Sequence, residues 1–163
     1  MSVWLVVFIL LAVGMIMGPI SMLRPKPGQR RKENLRAQAA QQGVRFGLRK
    51  APKLKTDMED PEPTPAYYLA PTTKMQAMST WTLMRTGYEH EGNFYRDWDW
   101  NGEYRPSAKA SHLLREYLAN LPESVTLISQ GEAGTCLLWN EKEDAELLNV
   151  LIKLLKELQA SVV

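Results

Sequence analysis

The residues best suited to chemistry lie in "DWDWNGEYRPSA", Asp97 to Ala108. Asp97, Asp99 and Asn101 alternate and Gly102 follows, which is the opening half of an EF-hand calcium loop. The closing half fails, because its twelfth position is Ala108, where a bidentate Glu would complete the cage. The competing reading is a strand that turns Phe94, Trp98 and Trp100 inward and Asp97 and Asp99 to solvent, then ends in an Asn-Gly turn. His90 stands between Glu89 and Glu91 in a turn, and His112 lies beside Leu113 in an amphipathic helix. Neither stands in a set of ligands large enough for zinc, whose sites use three or four. Cys136 alternates with Leu138 in an apolar strand, so it reads as a small buried hydrophobe rather than a nucleophile. "GEAG" has too few glycines for a phosphate loop and no following Lys-Ser/Thr. No catalytic residue, metal site or cofactor site emerges. The alternative reading is a tethered enzyme or a metal or ligand sensor using the acidic, aromatic segment 89–103, with His90, Glu91, Asp97 and Asp99 as its working groups.

These residues need a framework, and residues 66–163 can supply one core. "AYYLA", "STWTLMRTGYE" and "NFYRDWDWNG" read as strands, and Pro106 opens a helix with Ala110, Leu113, Leu114, Tyr117, Leu118 and Leu121 on one face. "SVTLIS" and "GTCLLWNE" form a hairpin around the five-residue loop "QGEAG". A last helix starts near Glu141, with Glu141, Glu143, Asp144 and Glu146 in its first turn, as the helix dipole prefers. Its core stripe is Leu148, Leu151, Ile152, Leu155 and Leu158. Leu147 and Leu154 fall at the edge of that stripe and predict either an apolar ridge for a partner or an extension of the core.

The amino-terminal part is of another kind. Val3 to Leu23 carries no charge, and as a helix it would rise roughly 30 Å, the thickness of a bilayer core. No Lys or Arg precedes it and no A-x-A site follows, which excludes a cleaved signal peptide. Arg24, Lys26, Arg30, Arg31, Lys32 and Arg36 follow at once. By the positive-inside rule the expectation is a single-pass protein of a bacterial inner membrane, amino terminus outside and residues 24–163 in the cytoplasm. A single cysteine suits a reducing compartment. Gly14 and Gly18 form a GxxxG pair that offers a flat strip to another helix, including a second copy.

Charge is divided unevenly. Residues 24–55 hold eleven Lys or Arg against the single acid Glu33, while residues 56–163 hold nine against seventeen acids. The six cations nearest the apolar run predict contact with anionic lipid headgroups. Nucleic acid is not expected, because Phe46 is the neck's one aromatic and no stacking platform accompanies it. A helix is predicted over Pro27–Gln42 with Gly43 just beyond its end, then a strand in "VRFGLRK". "APKLKTDMEDPEPTPA" reads as a solvated, proline-rich acidic linker.

The boundaries that follow are 1–23 for a transmembrane anchor, 24–50 for a basic helix and short strand, 51–65 for the linker and 66–163 for the head. The fold class is α+β, a mostly antiparallel sheet covered by helices. Aromatics crowd residues 81–104, and Tyr95 and Tyr104 fall opposite the tryptophans, where protein interfaces favour such residues. The layout of residues 1–50, an apolar span followed by "RPKPGQRRKENLRAQAAQQGVR" and a small head, resembles uncharacterised single-pass inner-membrane proteins of proteobacteria. That resemblance carries no functional residue with it. The function expected is an interaction module, an accessory or scaffold subunit of a larger membrane-protein assembly.

Overall fold

The structure, a computed structural model, describes residues 2–22, 26–54 and 57–162, with the backbone alone for 18–22. It forms two compact units, Met1–Asn34 and Leu35–Val163. The first holds helix α1 (Val3–Met22) and the start of α2 (Pro27–Gln41). Every described side chain of α1 from Val3 to Met17 is exposed.

Among the described residues no helix is long and apolar enough to cross a membrane. The stretch of α1 with described side chains, Val3 to Met17, rises roughly 22 Å, short of a ~30 Å hydrocarbon core. This corrects the expected transmembrane anchor, and with it the single-pass inner-membrane placement and its outside-to-cytoplasm orientation.

In the second unit α2 ends where Gly43 takes φ +82, a left-handed value that glycine adopts without steric cost. Val44 N–H then donates to Ala39 O at 3.0 Å and closes the turn. Leu35, Ala39 and Val44 are buried, so the second half of α2 belongs to the core rather than to solvent or headgroups. Six strands follow in a fully antiparallel sheet of order β1-β2-β6-β5-β3-β4. They are β1 (Arg45–Arg49), β2 (Thr64–Leu69), β3 (Trp81–Arg85), β4 (Trp98–Trp100), β5 (Val125–Gly131) and β6 (Gly134–Trp139). α3 (Lys74–Met78), α4 (Ala108–Leu118) and α5 (Ala145–Ala160) complete the fold.

One sheet face carries Tyr67, Leu69, Trp81, Leu83, Trp98, Ile128, Leu137 and Trp139 against α2, α4 and α5. The other carries Ala66, Met84, Leu127, Cys136 and Leu138, covered in part by Ala51 and Leu54 of the segment after β1. That segment was expected to be solvated; its apolar residues instead find a sheet face with no helix over it. α4 is capped by Ser107, which accepts from Ala110 N–H at 3.2 Å. α5 is capped by Asp144, which accepts from Glu146 and Leu147 N–H. The helix thus starts later than its acids suggested, and Glu141 and Glu143 lie outside it. The hairpin is also tighter than expected, since only Glu132 and Ala133 separate β5 from β6.

Candidate functional site

The face without helices is bent into a trough of about 610 Å³. Small residues leave the room: Gly47, Ala66, Gly131 and Gly134 line it, with Arg49, Tyr68, Thr82, Glu132 and Cys136 around them. Arg49, on the terminal strand β1, donates from Nη1 to Ser129 Oγ on β5 at 3.3 Å. β2 and β6 lie between those strands, so the contact needs a strongly curled sheet. Cys136 is 3 % exposed, and burial pushes its thiol up, against the smaller opposite pull of Arg49 and Ser129. A neutral thiol beside a guanidinium and hydroxyls can hold an anionic or hydrogen-bonding group. It supplies no proton-transfer pair and no activated nucleophile.

The opposite side of the sheet holds a charged cluster. Glu141, fully buried, accepts from Arg36 Nε and Nη2 at 2.7 Å each and from Tyr67 O–H at 2.6 Å. Arg36 also stacks over Phe46 at 4.0 Å. Its guanidinium is raised above its ordinary value chiefly by the bond to Glu141, and Tyr67 is raised by burial and then by the same carboxylate. Glu141 sits at φ +55, in the left-handed region, which turns its side chain back under the sheet. Arg36, in the part of α2 that belongs to the second unit, is thus engaged with Glu141. Two residues on, Glu143 accepts from Ser124 O–H at 2.6 Å and Trp139 Nε1 at 2.7 Å.

Burial opposes the charged form of Glu143, but those two hydrogen bonds outweigh it and hold its carboxyl below the usual range. A lowered carboxyl stabilises the fold above the ordinary carboxylate range and stops doing so as pH falls through its own lowered value. Glu143→Gln should reduce stability at neutral pH and make its loss toward acid pH shallower, as read by urea denaturation across that interval. An unchanged acid limb would show that Glu143 has no such part.

Several groups of the acidic, aromatic segment have partners within the fold. Asp97 pairs with Arg85, whose guanidinium also donates to Val125 O at 2.9 Å, Leu121 O at 2.9 Å and Pro122 O at 3.1 Å. Asp99 accepts from Trp100 N–H at 2.8 Å. His90 Nδ1 accepts from Gly92 N–H at 3.0 Å, in an exposed turn together with Glu91. Among the described residues no three His, Cys, Asp or Glu gather to hold a metal ion. Trp98 is buried, and Phe94 and Trp100 pack against the core.

The remaining predicted residues are scattered. Leu154 is fully buried and Leu147 packs against the core, so the proposed ridge does not stand out from α5. α5 meets β2 and β6, Tyr117 of α4 donates to Glu157 at 2.9 Å, and Gln42, just past the end of α2, donates to Asn149 at 3.1 Å. With neighbours on three sides it buries a second line of leucines. Tyr95 is half-buried on the core, whereas Tyr104 is exposed. Lys26, Arg30 and Arg31 are exposed and Lys32 is half-buried. Gly14 lies on an open strip of α1, while Gly18 and Arg24 carry no described side-chain environment.

Sequence reasoning missed Arg49, Tyr67, Glu141 and Gly134. Only Gly134 left a signal, as the glycine closing the hairpin. The chain matches no protein-family model, no curated protein and no solved structure.

Proposed function

We propose that the chain is a protein-interaction module, an accessory or scaffold subunit of a larger assembly. One observation supports this most. α1 is apolar on every side, and from Val3 to Met17 none of its side chains is covered, with Trp4, Phe8 and Leu10 each about 70 % exposed. Helices hydrophobic all round are buried in something, and every described side chain of this one is exposed. The second unit offers a curled sheet, an outer strand β1 with no strand beyond it among the described residues, and a part-buried Arg36–Glu141 pair. In this reading α1 packs against apolar helices of partner subunits, with Gly14 marking the side of closest approach. Crosslinking from Met15 within α1 to a second polypeptide is the test.

A further inference from the structure

The sheet ends on two unequal edges. β4 offers three residues, whereas β1 offers five, without proline or bulge, laddered to β2 in continuous register. No strand lies along the outer side of β1 among the described residues. Such an edge presents backbone N–H and C=O groups that another extended segment can take up. Side chains decide which segment fits.

Register with β2 puts Arg45, Gly47 and Arg49 on the trough face, level with Tyr68, Ala66 and Thr64. Phe46 and Leu48 fall on the other face. Arg36 covers Phe46, but Leu48 remains 67 % exposed. From Asn34 to Thr56 the chain has no acid, and Arg36 is already paired with Glu141, so Arg45, Arg49 and Lys50 make the edge uniformly positive. A second copy fits badly. Antiparallel pairing centred on Gly47 would set Arg45 against Arg49 twice over, and like charges directly opposite destabilise a sheet. An acidic strand meets neither obstacle.

We propose that β1 takes up an extended acidic segment of a partner protein as a further strand. One acid lies opposite Arg45 and a second level with Arg49, whose guanidinium reaches across the trough to Ser129, and an apolar residue lies opposite Leu48. Gly47 leaves room between the two arginines for whatever the partner carries there. This contact lies on the head and stands or falls independently of what covers α1.

The test is fluorescence anisotropy on the full chain with a labelled peptide of alternating Glu and Val. The peptide should bind, and Arg45→Glu, at an exposed position that leaves the thermal transition intact, should weaken it roughly tenfold. N-methylation of alternate peptide amides should abolish binding in one phase, the edge facing β1, and spare it in the other. Binding that survives both methylated series would show charge attraction without strand addition and overturn the proposal. So would no binding at low salt, or concentration-dependent dimerisation of the chain that Arg45→Glu removes.

Discussion

Replacing Arg36 by Met should destabilise the fold by about 3 kcal/mol, the lower end of what removing one partner of a buried ion pair costs. Arg36 keeps 33 % of its side-chain surface exposed, so water can partly compensate, while Glu141 across from it keeps none. The substitution deprives the buried carboxylate of two charge-assisted donors at once, and of the guanidinium over Phe46. Arg36→Lys should fall in between, since an ammonium cannot make the paired contact. The double change Arg36→Met with Glu141→Asn should recover part of the loss, because it removes both charges and asparagine tolerates the left-handed backbone at 141. Urea midpoints at constant slope measure each step. A single variant within about 0.5 kcal/mol of the parent, the range of ordinary surface changes, would show that the pair does not stabilise the fold.

Gly134→Ala should cost more, on the order of 4 kcal/mol or outright failure to fold. Added there, a Cβ would sit 1.8 Å from Leu69 O, 2.9 Å from Leu69 C and 3.0 Å from Pro71 N, all backbone atoms that cannot swing aside. Gly134 also takes φ +97, which a side chain disfavours. Its neighbour Thr135 pairs with Leu69, so relief would open the β2–β6 ladder at the centre of the sheet. Gly131→Ala is the control, because a Cβ at that position meets nothing within 4 Å. Comparable denaturation midpoints for the two variants would contradict the close approach.

These two sites mark where the sequence stops being readable. Elements with a strong local period were legible: the leucine stripe of α5, the Ala110–Leu114–Leu118 face of α4, Gly43 closing α2 and the alternation of β1. α3 was not, since five residues with a Thr73 cap carry no period. The segment "NFYRDWDWNG" forms a strand only at Trp98–Trp100, because Arg96 turns left-handed before it, at φ +50. Leu154 could not be placed because it is buried in a core assembled from residues far apart in the chain. Glu141 looked like a first-turn acid for the same reason: its partner Arg36 is 105 residues away. The trough is the least legible feature, because it depends on how far the sheet curls, which alternation does not encode.

In the function proposed, another protein covers α1. A photo-crosslinking amino acid in place of Met15, on the exposed surface of α1 one position from Gly14, tests it most directly in the cells that make the full chain. The account predicts one discrete adduct with a second polypeptide, weakened when Gly14 is also changed to Leu. Adducts with lipid alone, or no adduct at all, would contradict it.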